Sequence, residues 1–145
     1  MQPIVIFGAG GFAREVLVLI EDINRERQQW EVLGFLDDAA TEPAELNGLP
    51  VLGNRGWLSR TSSRPHLALG IGTPAIKRAI VEGVREHVAG FPTLVHPSVH
   101  SSRTVQLAEG VVVTAGNILT TDIRVGSFAM INLACTVGHD CVIGS

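Results

Sequence analysis

The fold is decided by residues 95–145, which divide into hexads as VHPSVH SSRTVQ LAEGVV VTAGNI LTTDIR VGSFAM INLACT VGHDCV IGS. Eight of the nine residues that open a hexad are aliphatic: Val95, Leu107, Val113, Leu119, Val125, Ile131, Val137 and Ile143, with Ser101 as the exception. Seven of the eight residues four positions later are small or aliphatic: Val99, Val105, Val111, Ile123, Ala129, Cys135 and Cys141, with Asn117 as the exception. Both registers therefore point into a common interior.

A period of six fits neither an α-helix nor a strand that alternates between two faces. It predicts a solenoid in which each hexad contributes one short strand and one corner. Three hexads then make a triangular coil of about 18 residues, and the aliphatic side chains of successive coils stack inside it. Small and polar residues follow the aliphatic positions, as tight corners require.

Composition excludes several classes of protein. The net charge is −3 and no Lys/Arg cluster occurs, which argues against nucleic-acid binding. No apolar run approaches the roughly 18 residues of a membrane span, and the N-terminus lacks the features of a signal peptide. Cys135 and Cys141 both occupy inward positions of the repeat, so we expect reduced core thiols and a cytoplasmic protein.

The N-terminal segment predicts a phosphate-binding turn. Residues 3–7 read as a buried strand, Gly8-Ala9-Gly10-Gly11-Phe12 follows, and residues 13–24 carry apolar residues at helical spacing. Glycine lets a phosphate approach the backbone, and a helix N-terminus offers free N–H groups. Gly8-x-Gly10-x-x-Ala13 matches a tolerant form of the dinucleotide fingerprint. The alternative is a tight strand-to-helix turn that binds nothing.

Two further strand ends carry candidate ligands. Residues 30–36 predict a second strand that ends in Asp37 and Asp38, and acids at this position often bind ribose hydroxyls. The alternative is a solvated strand end. Residues 39–47 are expected to form a loop, and residues 48–53 a short third strand.

A last N-terminal strand is predicted over residues 66–72, followed by a helix with Thr73 as N-cap and Pro74 in its first turn. Gly72 and Thr73 then lie at the carboxyl edge of the sheet, where open α/β sheets bind ligands. We predict an α/β, Rossmann-like domain over residues 1–91 and a solenoid over residues 92–145.

The hexads, with Val125–Ala129 and Val137–Cys141 as clear units, resemble those of the hexapeptide-repeat acyltransferases. The layout as a whole is similar to the nucleotide-sugar acetyltransferase family, which includes the sialic-acid O-acetyltransferase type and enzymes that N-acetylate UDP-4-amino-sugars. The residues that carry the resemblance are the glycine turn, Phe35-Leu36-Asp37-Asp38, Ala68-Leu69-Gly70-Ile71-Gly72, Val95-His96-Pro97-Ser98 and Gly138-His139-Asp140-Cys141-Val142-Ile143-Gly144.

This resemblance implies a left-handed parallel β-helix, a bound nucleotide-sugar, acetyl-CoA as co-substrate, no metal, and a homotrimer. It implies His139 as the general base, with Asp140 beside it. The residues expected at the nucleotide-sugar are Gly8, Gly10, Gly11, Phe12, Asp37, Asp38, Gly72 and Thr73. Many relatives carry Glu after the histidine, and Asp140 is one carbon shorter.

The chemistry of His139 agrees with this role. An imidazole titrates near the working pH, which suits a general base, and a neighbouring carboxylate favours its charged form. The alternative is a corner histidine without a chemical role. Asn117 is a polar exception at an inward position, and we expect it to form either an asparagine ladder or a hydrogen bond at a corner.

Nine hexads make only about three coils, and relatives of this type continue for several more. We therefore expect a truncated chain that keeps the base and the nucleotide domain, and lacks much of the acyl-CoA site. Two other functions stay open: an NAD-dependent oxidoreductase or sensor, which rests on Gly8, Gly10, Ala13 and Asp37, and a non-catalytic module whose solenoid serves only to form trimers.

Overall fold

A computed structural model describes residues 1–42 and 44–145. The chain divides into two compact units. The first comprises Met1–Val18 and Gln28–Phe91, and the second comprises Leu19–Arg27 and Pro92–Ser145. The break after Phe91 lies where the period of the sequence changes. The grouping of Leu19–Arg27 with the second unit was not predicted.

The first unit is an α/β domain. Its elements, with the whole of the first helix, are β1 (Gln2–Phe7), α1 (Gly11–Glu26), β2 (Trp30–Leu36), β3 (Ala44–Leu46), β4 (Leu49–Val51), α2 (Trp57–Arg60), β5 (His66–Leu69), α3 (Pro74–Val84) and a 3-10 turn (Arg85–His87). Four of the six residues of β1, Ile4–Phe7, are apolar and buried. Within the described part of the chain, no helix combines the length and apolarity needed to cross a membrane.

The five strands form one sheet in the order β3-β4-β2-β1-β5. All neighbours are parallel except β3 and β4. Phe7 of β1 pairs with Leu36 of β2 and with Leu69 of β5, so the carboxyl ends of these three strands are level. The three predicted ligand-binding segments therefore start from one edge of the sheet. This agrees with the predicted Rossmann-like domain.

The prediction of a loop over residues 39–47 is confirmed for residues 39–42 and wrong for Ala44–Leu46, which forms β3 and pairs with β4 in a hairpin; Pro43 lies outside the described residues. The two residues of its turn, Asn47 and Gly48, have φ of 49° and 78°. Asn-Gly is the preferred pair for such a two-residue turn, because both residues tolerate positive φ. The signal was present in the sequence.

The second unit is the predicted solenoid. Its strands are β6 (Leu94–Val95), β7 (His100–Ser101), β8 (Gln106–Leu107), β9 (Val112–Val113), β10 (Ile118–Leu119), β11 (Arg124–Val125), β12 (Met130–Ile131), β13 (Thr136–Val137) and β14 (Val142–Ile143). They form three parallel sheets of three strands, β6-β9-β12, β7-β10-β13 and β8-β11-β14. Paired residues such as Leu94, Val112 and Met130 lie 18 positions apart. The prediction of a hexapeptide-repeat β-helix is confirmed.

The predicted inward residues form its interior. The buried cluster contains Val111, Val113, Leu119, Ile123, Val125, Ala129 and Ile131, with Cys135 and Cys141 partly buried against it as free thiols. Each buried valine, leucine or isoleucine side chain contributes about 1.5–3 kcal/mol. Asn117 is fully buried among them: its Nδ2 donates to the carbonyls of Thr114 and Asn132, and its Oδ1 accepts from the N–H of Cys135.

One outer face of the solenoid is also apolar. Leu94 and Val112 precede inward residues and so point outward, yet both are buried and neither belongs to the interior cluster. The second half of α1 groups with this unit, and Asp22 Oδ2 lies 3.0 Å from His96 Nε2. We infer that this half of α1 covers the face formed by β6 and β9.

Candidate functional site

The glycine turn begins where β1 meets β5. Gly8 has φ of +115°, and a Cβ at this position would lie 2.7 Å from the carbonyl oxygen of Gly70. A Cβ at Gly70 would in turn lie 2.7 Å from the Cβ of Ala13 in α1. Both glycines are therefore required by the close approach of strands and helix. Gly70 was not among the predicted site residues. The small residue opposite it, Ala13, was a signal in the sequence that the helix and the strand pack closely here.

Gly10 and Gly11 differ from Gly8, because the fold does not require them. A Cβ at Gly10 would meet no atom within 4 Å, and a Cβ at Gly11 would meet only Nη2 of Arg14, at 3.9 Å. Neither glycine has a positive φ. The first turn of α1 contains no acidic side chain. The first hydrogen bond of the helix runs from the N–H of Arg14 to the carbonyl of Gly10, so the N–H groups of residues 11–13 have no partner within the helix. The open backbone and the free N–H groups suit an anion such as a phosphate.

Gly72 and Thr73 follow β5 at the same edge of the sheet. Both are exposed, and a Cβ at Gly72 would meet no atom within 4 Å. Thr73 precedes α3 as predicted, but its side chain makes no capping hydrogen bond. Lys77, in the second turn of α3, is partly buried, and the loss of solvent lowers the pKa of its ammonium group.

The two acids after β2 have different surroundings. Asp37 is held by its own turn: its Oδ1 accepts from the N–H of Ala39 at 2.9 Å, and its N–H donates to the carbonyl of Gly53. Among the described residues, Oδ2 of Asp37 has no hydrogen-bond partner. This oxygen is therefore free to accept a hydrogen bond from a ligand.

Asp38 instead binds Arg55, which was not predicted as a site residue. Its Oδ2 accepts from Nε of Arg55 at 2.8 Å and from Nη2, and its Oδ1 accepts from the backbone N–H of Arg55. These hydrogen bonds hold the pKa of the Asp38 carboxyl below its usual range and raise the pKa of the guanidinium. The Arg55 guanidinium also lies 6.0 Å from the ring centre of Phe7, at the end of β1.

In the second unit, His139 and Asp140 form a hydrogen-bonded pair at the corner after β13. Nδ1 of His139 lies 2.7 Å from Oδ2 of Asp140, so the shorter acid reaches the ring. Asp140 has φ of 57°, a left-handed conformation that Asp adopts more readily than most residues. The side chains are 79% and 75% exposed, and Nε2 of His139 has no partner among the described residues. Nε2 is therefore the nitrogen that can meet a substrate.

Residues 3–84, more than half of the chain, match the family model described as the PglD N-terminal domain. The chain belongs to this family. This match, together with the relatives described next, confirms the resemblance to the hexapeptide-repeat nucleotide-sugar acetyltransferases. The matched part of this PglD-family chain includes the glycine turn, Asp37, Asp38 and Gly72.

Solved structures and a curated relative extend the similarity into the solenoid. The acetyltransferase domain of PglB from Neisseria gonorrhoeae FA1090 superposes with a TM-score of 0.87 at 27% identity, over 99% of this chain and 68% of that one. A histidine-to-asparagine variant of perosamine N-acetyltransferase from Caulobacter crescentus, in complex with CoA and GDP-perosamine, gives a TM-score of 0.86 at 28% identity, over 100% of this chain and 67% of that one. GDP-perosamine N-acetyltransferase from Escherichia coli O157:H7 is 26% identical over 140 residues.

The comparison with the Escherichia coli protein covers 96% of this PglD-family chain, which spans 63% of the length of that relative. The same PglB domain has also been solved in complex with acetyl coenzyme A. These ligands belong to the relatives. The roles of His139, Asp140 and the nucleotide-end residues in the present chain stay predictions.

Proposed function

We propose that this chain serves the transfer of an acetyl group from acetyl-CoA to the amine of a nucleotide-activated amino sugar. The observation that carries the proposal is the His139–Asp140 hydrogen bond at a corner of the β-helix in a PglD-family chain. Relatives named as N-acetyltransferases support an amine rather than a hydroxyl as the acceptor, and their bound CoA and GDP-perosamine support the two substrate classes.

The sugar amine attacks the carbonyl carbon of the thioester, so a C–N bond forms and the C–S bond breaks. Nε2 of His139 takes one proton from the attacking nitrogen and returns it to the departing thiolate, which leaves as the CoA thiol. Asp140 accepts the Nδ1 hydrogen bond, and this fixes the tautomer in which Nε2 carries the lone pair. The products are the N-acetylated sugar nucleotide and CoA.

The nucleotide end is assigned to the first unit. Gly10, Gly11 and the N–H groups of the first turn of α1 suit the diphosphate, and Arg14 adds a positive charge beside Gly11. Asp37 offers a free carboxylate oxygen to ribose hydroxyls, whereas Asp38 holds Arg55. Phe12, Gly72 and Thr73 complete the proposed binding residues.

Two tests address the proposal. The first is calorimetric titration of the chain with GDP, UDP and NAD, because the oxidoreductase alternative rests on the same glycine turn. Binding of GDP or UDP without NAD supports a nucleotide-sugar, and binding of NAD alone overturns it. The homotrimer implied by the resemblance stays a prediction, and sedimentation equilibrium tests it.

The second test is CoA release from acetyl-CoA in the presence of GDP- or UDP-linked amino sugars. His139→Asn is expected to lower the rate by about 10²–10⁴, the range for a lost general base. The affinity for the free nucleotide is expected to stay unchanged. His100→Asn is the matched control, because His100 is also an exposed histidine of the solenoid. An unchanged rate in His139→Asn rules out His139 as the base.

A further inference from the structure

The corner that carries His139 stands on two equivalent corners. Strands β7, β10 and β13 pair in register, so residues 138–140 lie above residues 120–122, and these lie above residues 102–104. Successive coils in a parallel ladder are about 4.8 Å apart. We call these three segments the base corner, the middle corner and the lower corner.

The lower two corners are joined by side-chain hydroxyls. Oγ1 of Thr104 lies 2.9 Å from Oγ of Ser102 and 2.8 Å from Oγ1 of Thr121. It also accepts from the N–H of Asp122 at 2.9 Å. Oγ1 of Thr121 donates to Oδ2 of Asp122 at 3.0 Å. Thr104 and Thr121 thus form a continuous hydroxyl ladder under the base corner.

Each of the upper two corners contains an aspartate in the left-handed region, Asp122 with φ of 55° and Asp140 with φ of 57°. In each case the N–H of the aspartate is bonded to the corner beneath: Asp122 to the hydroxyl of Thr104, and Asp140 to the carbonyl of Thr121 at 3.2 Å. Thr121 therefore takes part in both layers. The position of the Asp140 backbone depends on the middle corner, which depends on Thr104.

We propose that Thr104 and Thr121 are positioning residues for the base: their hydroxyl ladder fixes the left-handed corner that holds the Asp140 carboxylate on Nδ1 of His139. The inference rests on the proposed function of His139. It extends the site downward by two coils, to residues that do not touch the reacting atoms.

One other corner column shows that a left-handed corner alone does not need such a ladder. Phe128 also has a positive φ, and its N–H donates to the backbone carbonyl of Glu109, but the residue stacked beneath it, Gly110, carries no hydroxyl. In the column that contains Gly116, the hydroxyl of Ser98 accepts from an N–H at 2.9 Å, as Thr104 does. Ser98 is therefore a matched control in a column that does not lead to His139.

The test measures the ring tautomer of His139 by ¹⁵N NMR at a pH where the imidazole is neutral, so the readout does not require acetyl transfer. In the parent chain we expect the proton on Nδ1, facing Asp140. In Thr104→Val, we expect about a fivefold loss in the ratio of this tautomer to the other, the size of one net hydrogen bond. Thr104→Ser, which keeps the hydroxyl, restores the parent ratio, and Ser98→Ala leaves it unchanged.

An unchanged tautomer ratio in Thr104→Val overturns the inference, as does an equal change in Ser98→Ala. If Thr104→Val fails to fold, Thr121→Val decides, because it leaves the bond between Thr104 and the N–H of Asp122 in place. In the transfer assay the inference predicts a lower kcat with unchanged KM values. Transfer that His139→Asn does not slow, together with a ladder-dependent tautomer, refutes the proposed role of His139 as base and leaves its positioning standing.

Discussion

Replacing Gly10 by alanine separates glycines that the fold requires from those that a ligand requires. A Cβ at Gly10 meets no atom within 4 Å, and its φ is not positive, so the folded chain accommodates a methyl group. Alanine reduces the entropy of the unfolded chain but is a poorer residue than glycine just before a helix. We expect the free energy of unfolding to change by less than about 1 kcal/mol.

Nucleotide binding is expected to respond differently. A methyl group at Gly10 projects into the open space beside the N–H groups of the first turn of α1, where we place the diphosphate. Overfilling a closely packed contact costs about 1–3 kcal/mol, which corresponds to roughly a tenfold to hundredfold weaker Kd. The assay is calorimetric titration of the variant with the nucleotide that the parent chain binds.

Gly8→Ala is the matched control with the opposite expectation. Its Cβ would lie 2.7 Å from the carbonyl oxygen of Gly70, in a backbone conformation that alanine rarely adopts. The crowding and the unfavourable φ together are expected to cost about 2–5 kcal/mol of stability, measured by urea unfolding. Parent-like nucleotide affinity in Gly10→Ala refutes the placement of the diphosphate, and parent-like stability in Gly8→Ala refutes the crowding argument.

Three further predictions concern the framework around these sites. Asn117→Leu removes the side chain that bonds the N–H of Cys135 and the carbonyls of Thr114 and Asn132, so unfolding by urea is expected to show a loss of about 2–4 kcal/mol. Arg55→Met is expected to raise the pKa of Asp38 in an NMR titration. The pKa of Asp38 is lowered in the folded chain, so the ion pair stabilises the parent at pH values above the usual pKa of an aspartate. This stabilisation is lost as the pH falls through the folded-state pKa. Because the side chains of Asp38 and Arg55 are 39% and 41% exposed, we expect the pair to contribute only about 0.2–1 kcal/mol. Asp22→Ala removes the carboxylate bonded to His96, and amide hydrogen exchange in the second half of α1 is expected to become faster.

The solenoid was predictable because its signal is repeated. Interior positions recur every six residues, and an error at one hexad, such as Ser101 or Asn117, does not hide the period. The period also identifies Asn117 as an inward residue, and a polar side chain in the interior must find hydrogen-bond partners, so its hydrogen bonds were expected. The β3–β4 hairpin was missed although Asn47-Gly48 marks it, because β3 is only three residues long.

The sequence also predicts in part that one outer face of the solenoid is covered. Leu94, Val112 and Met130 occupy one outward column and are all apolar, whereas His100 and Gln106 begin columns with polar residues. An apolar outward column predicts that something packs on it. The sequence does not say that this element is the second half of α1, because that pairing joins segments about seventy residues apart in the chain.

The pairing of Asp38 with Arg55 could not be predicted for a similar reason. The two residues are 17 positions apart, and the loop that carries Arg55 has no periodicity. The sequence places two acids at the end of β2, but it does not show which carboxylate is already bonded to another side chain. The structure distinguishes Asp37 from Asp38 by their hydrogen bonds, and only the former keeps an oxygen for a ligand.

The stacked corners have a consequence for how such a protein can change over evolution. Folding is selected at the inward positions of each hexad, and the corner residues at the surface are left largely independent of it. Asp122 and Asp140 share one backbone conformation although the residues before them, Thr121 and His139, differ in chemistry. A repeat protein of this kind can therefore acquire or lose a reactive group by a substitution at one corner, and adjust its position by substitutions at the corners beneath, while the interior that keeps it folded stays the same.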